Sequence, residues 1–576
     1  MPFSVMKSTQ NWAIWLKSFI IIFLVLSAIF IAYHEALNNN FLTMWDTQGY
    51  VINNAHIKAL TWENLQWMFT SFQMENWHPL TWLSHALDYA LFELEPWGHH
   101  LVSLIIHGFN TILLFLLVIV LMSFNQAPEK YAARVNNKIL LAAGIAAILF
   151  GIHPQHVESV VWVAERKDVL CLFFILLALL SYVFYNAAHT INARFGWYLS
   201  TLLCFVLALL AKPMAVTFPV ILLLMDVYPL HRTSLTTASC QRNSVSYKRL
   251  VVEKIPFFVF TLFSVIITIL AQHHGGAIFT IEEAGIQIRL LNAFDSLIFY
   301  ISKFLAPITL SPFYPFPSYK SFYEYYPSLI PVIAFFLMTF VCGYLWTKKK
   351  YYWLMAWLFY LVTLLPVIGI IKVGNQAAAD RYVYLPTMPF YILIGIGVAS
   401  LLYTEKLKKV LKIGIVTVFL LVSVVLVQLT QKQTLIWKND LTFWSYIVAY
   451  APDSALAQFN LGNVYLKIGG YDKAVEHYHQ AVSLEPLNKW WYKNLPMAYI
   501  KSNRLPEALN LLNRLIKHKI HIGYSWDNIH YMIGRIYFIQ GRLQQARQSL
   551  TKALQINPGN KRAQDLLLEI RKNSPS

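Results

Sequence analysis

Charge is what this chain has least of. Only 13% of its residues are Asp, Glu, Lys or Arg, while 57% are hydrophobic; soluble domains carry roughly 25% charged residues. With a mean hydropathy of +0.49, the composition excludes an ordinary soluble enzyme and places the chain in a membrane. Cysteine is scarce as well. Cys171, Cys204, Cys240 and Cys342 are the only four. They make no disulfide framework, and three of them lie in apolar segments, so they do not report a redox compartment. The first apolar run follows Lys7 and Lys17 and has no small-residue cleavage site after it, which reads as an uncleaved span rather than a signal peptide. Acidic residues are outnumbered, 28 against 46 Lys and Arg, for a net charge of +18. In a membrane protein such an excess collects in cytoplasmic loops, so nucleic acid is not an expected partner. His-Glu-x-x-His spacing is also missing. His153 and His156 with Glu158 are tolerable ligand types, to which His99-His100 or His273-His274 could add, but adjacent histidines on a helix diverge rather than converge. Neither a metal nor another cofactor is expected.

What is present begins with apolar stretches long enough to cross about 30 Å of hydrocarbon. They fall near 14–33, 99–122, 139–152, 169–187, 196–211, 214–228, 256–272, 326–346, 353–371, 386–403 and 410–430. The expected fold is all-α: a polytopic domain of about eleven transmembrane helices over 1–430, then a soluble helical domain over 431–576. Alternate connections carry Lys130, Arg134 and Lys138, then Arg232, Arg242, Lys248, Arg249 and Lys254, then Lys348 to Lys350, then Lys406 to Lys412. The loop 34–98 holds one basic residue, Lys58, against seven acids. The positive-inside pattern therefore predicts a cytoplasmic N-terminus and an extracytoplasmic C-terminal domain. Arg289, Asp295 and Lys303 interrupt 289–310, which reads as an amphipathic helix in the outer interface.

This topology gathers the unusual residues on the outer face. The tryptophan-rich loop 34–98 is far longer than a turn between spans requires, and loops of that length are folded or functional. It carries Asp46 between Trp45 and Tyr50. A carboxylate there can act as general base on an acceptor hydroxyl, with the aromatic neighbours as a stacking face for a sugar; the alternative is a turn-capping aspartate. The second loop runs from His153 and His156 through Glu158 and Trp162 to Glu165, Arg166, Lys167 and Asp168, a density of ionisable groups that marks function at membrane depth. On one continuous helix Glu158 and Glu165 would share a face. A third outer stretch runs from His273 to Tyr319, and a fourth from Gly374 through Asn375 to Asp380, Arg381 and Tyr382. Lys212 falls on the same side.

After the last span the chain becomes periodic. Frames of about 34 residues start at Ala455, Lys489 and Asp527, with small residues and aromatics at Gly462, Tyr465, Ala474, Tyr478 and Ala481, and at Gly534, Tyr537, Ala546, Leu550 and Ala553. The middle frame keeps Leu495, Tyr499 and Ala508 but has Pro496 where a small residue belongs. A half repeat ending at Pro452 precedes them. This is the tetratricopeptide (TPR) pattern, an α-solenoid whose concave groove binds peptide.

The strings Glu75 to His85, Trp97 to His100, His153 to Asp168, Ala211 to Met214 and Ala379 to Pro386, together with the repeats, resemble the transmembrane-and-TPR-containing (TMTC-type) proteins and their bacterial relatives. The resemblance implies a GT-C glycosyltransferase fold and transfer of a sugar, mannose in the eukaryotic branch, from a polyprenyl-phosphate carrier to Ser or Thr hydroxyls of a protein acceptor held by the TPR groove. It implies a catalytic role for Asp46, and Glu158, Glu165 and Asp168 in the second loop are candidates for a second acid. Arg166, Lys167, Lys212 and Arg381 are candidates for the carrier phosphate, and Trp45, Tyr50, His78, His153, His156, Asp380 and Tyr382 for substrate contacts. Relatives keep adjacent acids in the first outer loop; here Thr47 and Gln48 follow Asp46. That departure leaves a second reading, a non-catalytic scaffold for envelope assembly, and a third, a transferase acting on glycan or lipid. The short repeat array and the lack of a retention signal point to a bacterial inner membrane.

Overall fold

The computed structural model describes residues 9–126, 135–233, 245–275, 285–316, 329–370, 374, 376–519 and 524–572. Cys240, Lys130, Arg134, Arg242, Tyr319 and Asn375 lie outside them. The chain separates into two compact units, Met1–Asn439 and Asp440–Ser576. The boundary falls later than 430 because the last membrane helix continues to Ile436.

In the first unit, α1 (Thr9–Tyr33) leads into the long loop, which is itself folded. It contains a wide helical turn at Gln48–Ile52, then α2 (Trp62–Thr70) and α3 (Pro79–Phe92). Thr61 caps α2 by accepting from the Asn64 N–H at 3.3 Å, which satisfies one of the donors a helix start leaves open. There follow α4 (Pro96–Gln126), α5 (Asn137–Gly151), the short α6 (Val157–Val161), α7 (Arg166–Ala187), α8 (Ile191–Ala211), α9 (Phe218–Val227), α10 (Tyr247–Gly275), α11 (Ile286–Leu305), α12 (Leu329–Thr347), α13 (Tyr351–Leu364), α14 (Met388–Tyr403) and α15 (Lys409–Ile436).

Among the described residues, seven helices are long and apolar enough to span a membrane, or eight if the bent pair α5–α6 counts as one. Three shorter apolar helices, Pro213–Val227, Tyr351–Leu364 and Met388–Tyr403, carry the remaining apolar stretches. Length alone thus supports seven or eight full spans rather than eleven. α11 is not among the candidate spans. It is two-sided: Arg289, Asn292, Ala293, Ser296, Leu297, Tyr300 and Phe304 are buried along one stripe, while Leu290 and Leu305 are exposed.

Burial sorts the helices. α7 is covered over most of its length, whereas α12 is buried nowhere, and large apolar side chains such as Phe19, Phe336 and Val410 are exposed. A bilayer would cover such surface, since lipid is no worse a neighbour for it than protein. Against α5, α14 packs through Gly395, where a Cβ would lie 2.3 Å from the Ala142 carbonyl. Only glycine allows that approach.

On the side of the long loop, the strands β1 (Tyr314–Pro315) and β2 (Gln376–Ala378) pair antiparallel, with Tyr314 opposite Ala378. They tie the third polar stretch to the fourth. The second unit is a stack of helices: α16 (Asp440–Tyr450), α17 (Ala455–Ile468), α18 (Tyr471–Leu484), α19 (Leu495–Lys501), α20 (Leu505–Lys517), α21 (Trp526–Ile539), α22 (Leu543–Ile556) and α23 (Lys561–Lys572). Its core is built from the frame residues, including Ala474, Tyr478, Ala481, Tyr499 and Ala508. Pro496 has a visible consequence. It sits in the first turn of α19, so the first helix of the middle repeat is only seven residues long, behind a 3-10 turn at Lys489–Tyr492; proline fits a helix start but not its interior.

Candidate functional site

The second polar loop is not one helix. α6 ends at Val161, Trp162 is extended (φ −76°, ψ 110°), a 3-10 turn covers Val163–Glu165, and α7 starts at Arg166. Trp162 holds this break from both sides: its ring stacks on Trp437 at 5.7 Å and its Nε1–H donates to Thr47 Oγ1 at 3.3 Å. Glu158 and Glu165 therefore do not share a helical face, as continuous spacing would have required. They meet at Arg381 instead, supplied by the fourth polar stretch.

Arg381 pairs with Glu158 through its guanidinium and donates its backbone N–H to the same carboxylate at 3.1 Å. Its Nε lies 3.4 Å from Glu165, and the group sits over the rings of Trp162 and Tyr382 at 5.5 and 4.8 Å. The Tyr382 hydroxyl accepts from Gln376 at 3.2 Å. Lys167 reaches Glu165 at 3.1 Å and donates to the Tyr50 hydroxyl at 3.1 Å. Lys212, in the break between α8 and the turn before α9, contacts Glu165 at 3.3 Å and Asp168 at 2.5 Å. Three cations and three carboxylates thus interlock in one buried cluster, satisfying one another as burial demands. A small cavity of about 10 Å³, room for about one water, lies beside it, lined by Asp168, Lys212 and Arg381 together with Leu172, Met214 and Leu385.

Asp46 stands at the edge of this cluster, half-buried. Its backbone carbonyl accepts from the Gly49 and Tyr50 N–H groups, both at 2.9 Å, which starts the helical turn that follows. Burial pushes its carboxyl above the ordinary value, Lys167 and Arg381 pull it back, and Glu165 adds to the rise. Tyr50 is buried, stacked on His78 at 5.4 Å and tilted against Trp82 at 4.9 Å; burial likewise raises its hydroxyl pKa. The His78 imidazole is held well below its usual range, first by burial and then by Lys167. Trp45 lies 6.0 Å from Trp162. Thr47 is buried under Trp162 and Gln48 is exposed, so the positions after Asp46 serve packing and solvent.

Four expected site residues lie elsewhere. Arg166, next in sequence to Lys167, points the other way: it donates to Ser103 at 2.8 Å, Ser84 at 3.0 Å and the His99 carbonyl at 2.6 Å, and pairs with Asp88 at 2.8 Å. His153 stacks on Phe304 at 5.3 Å and bonds its carbonyl at 3.1 Å. His156 bonds the Phe150 carbonyl at 2.8 Å and faces the Tyr391 hydroxyl at 3.4 Å. Asp380 accepts from Tyr314 at 3.0 Å, and burial with Glu158 nearby raises its carboxyl well above the ordinary value. Conversely, sequence reasoning passed over Trp162 as a wedge, Asp88 as the partner of Arg166, and Ser84 and Ser103 as its acceptors. Only Ser84, His85 and Asp88, at i, i+1 and i+4 on α3, carried a periodic signal that could have flagged them.

Comparison with known proteins agrees with the motifs. The family described as Tetratricopeptide repeat matches residues 455–488 and 528–560, the first and third frames but not the proline-bearing middle one. The chain is 32% identical to human protein O-mannosyl-transferase TMTC2 over 163 residues, 27% of this chain and 17% of that protein. With human protein O-mannosyl-transferase TMTC3 the identity is 23% over 540 residues, 86% of this chain and 56% of the relative. With protein O-mannosyl-transferase F38B6.6 of Caenorhabditis elegans it is 22% over 416 residues, 72% and 54%. The chain therefore spans little more than half the length of these relatives at most. The TMTC-type resemblance is borne out.

Proposed function

We propose that this TMTC-like chain is a membrane glycosyltransferase that moves a sugar from a polyprenyl-phosphate carrier to a protein hydroxyl on the extracytoplasmic side. The observation that carries the reading is the placement of Asp46: a half-buried carboxylate within the field of Lys167 and Arg381, the second of which also lines a small cavity with Lys212, Asp168 and apolar side chains. The mix of cations and apolar side chains matches a phosphate with an isoprenoid tail in chemistry, and the carrier must widen the space as it binds. Lys212 and Arg381 bind the phosphate, one as a point charge and one as a planar fork, and Lys167 tunes Asp46 and Tyr50. Arg166 holds α3 and α4 in place and does not touch the carrier.

In the step itself the acceptor oxygen attacks the anomeric carbon. Asp46 takes its proton, the bond from that carbon to the phosphate oxygen breaks, and the electron pair leaves with the polyprenyl phosphate, where Lys212 and Arg381 stabilise it. The carboxylates of Glu158, Glu165 and Asp168 hold these cations until the phosphate replaces them. The TPR unit presents the acceptor, and the membrane is a bacterial inner membrane with the N-terminus inside. The test is transfer from labelled polyprenyl-phosphate sugar to Ser/Thr peptides by the purified full chain in proteoliposomes. Labelled peptide supports the reading. Wild-type chain that labels neither peptide nor glycan acceptors with any such donor favours the scaffold reading, to which the substituted Thr47 and Gln48 already lend weight.

A further inference from the structure

Where α3 of the long loop meets the start of α4 there is a second cluster. His85 and Asp88, three residues apart and so on one helical face, meet His99 from the first turn of α4. One donor atom from each lies within 4.8 Å of the others, and all three residues are buried. His85 is fully buried, yet among the described residues neither ring nitrogen has a hydrogen-bond partner, a costly arrangement for a polar ring. The bond at His99 fixes its tautomer. Its Nε2 contacts the Glu93 carbonyl at 2.9 Å, and a carbonyl only accepts, so Nε2 carries the proton. In a neutral ring Nδ1 then presents a lone pair, and it faces the Asp88 carboxylate at 3.4 Å. Two electron-rich atoms at that distance call for a proton or a metal ion between them.

We propose that His85, Asp88 and His99 form a binding site for a divalent metal ion of the zinc class. Imidazole with a single carboxylate suits zinc rather than magnesium or calcium, which take oxygen ligands. Tetrahedral zinc ligands sit about 3.4 Å apart at bonds of about 2.1 Å, so small side-chain rotations close the set. The outer contacts are those of a built metal site: the far nitrogen of His99 is anchored on a backbone carbonyl, and Asp88 is oriented by Arg166 at 2.8 Å. The ion pins the start of α4 to α3 and thereby steadies Arg166, the residue next to Lys167. The proposal stands independently of the glycosyltransferase reading.

The test uses full-length chain purified in detergent through a tag without histidines. Elemental analysis is expected to find one zinc ion per chain, and Co²⁺ exchange to give the visible bands of a tetrahedral site. His85→Ala and His99→Ala are each expected to weaken metal affinity by at least about 10-fold, while His274→Ala, at an exposed histidine, leaves it unchanged. Folded wild-type chain that holds no zinc and shows no Co²⁺ spectrum overturns the proposal and makes His99 an imidazolium paired with Asp88. Ion retained at full affinity in both ligand variants overturns it too. The wild-type titration decides even if a variant fails to fold.

Discussion

Asp46→Asn separates a catalytic carboxylate from a structural one. The substitution keeps the shape and both backbone bonds to Gly49 and Tyr50 and removes only the charge and the base. Burial raises the Asp46 pKa in the folded chain. A carboxyl with a raised folded pKa favours the folded state below its unfolded pKa and loses that contribution as pH rises through the folded value. Removing the charge at neutral pH therefore leaves stability unchanged or increased. Catalysis moves the opposite way. A general base contributes about 10²–10⁴ in rate, about 2.7–5.5 kcal/mol of barrier, and turnover should fall by that factor. Wild-type activity should rise with pH along a single-proton limb above the ordinary carboxylate range, because only ionised Asp46 accepts a proton; the limb should vanish in the variant. The assay is sugar transfer in proteoliposomes across pH, paired with thermal unfolding in detergent. Activity within about threefold of wild type, far short of a lost base, refutes the reasoning, as does a parallel loss of stability.

Lys254→Met removes one of the two cations on buried Asp226, to which Lys254 donates at 2.5 Å while Arg232 stays at 2.9 Å; a loss of about 1.5–3 kcal/mol is expected, read as a lower unfolding midpoint, and an unchanged midpoint shows that Arg232 suffices. Gly462→Ala places a Cβ 2.7 Å from the Tyr478 ring, which Asn463 holds by its hydroxyl at 2.7 Å. Overpacking of that kind costs about 1–3 kcal/mol, measurable as a shift in the unfolding of the repeat unit; an unchanged midpoint shows that the ring moves aside. A topology reporter fused after Ser576 should be active outside the cytoplasm, and a cytoplasmic signal would put the repeats on the wrong side to present an acceptor.

Much of the fold was legible because its determinants are local. Every apolar stretch became a helix, since chain in hydrocarbon must bond its own backbone, and the TPR frames showed themselves in small residues that recur where two helices touch. Even the faulty middle frame was visible in Pro496. Span number was less legible, because apolar composition does not say whether a helix is long enough to cross. α9, α13 and α14 are apolar and short.

The candidate site divides the same way. The sequence alone determined which residue types are there: Asp46 among aromatics, acids and bases crowded between His153 and Asp168, and the cations Lys212 and Arg381 in distant loops. Tertiary structure alone decided who meets whom. Arg166 and Lys167 are neighbours in the chain, but successive residues leave a helix about 100° apart, so one reaches Asp88 and the other Glu165 and Tyr50. Glu158 and Glu165 face Arg381 together only because Trp162, wedged between Thr47 and Trp437, breaks the helix between them. Buried charges must find partners wherever the packing places them, and apart from Lys167 with Glu165 the partners in this cluster lie tens to hundreds of residues away, beyond the reach of any spacing rule.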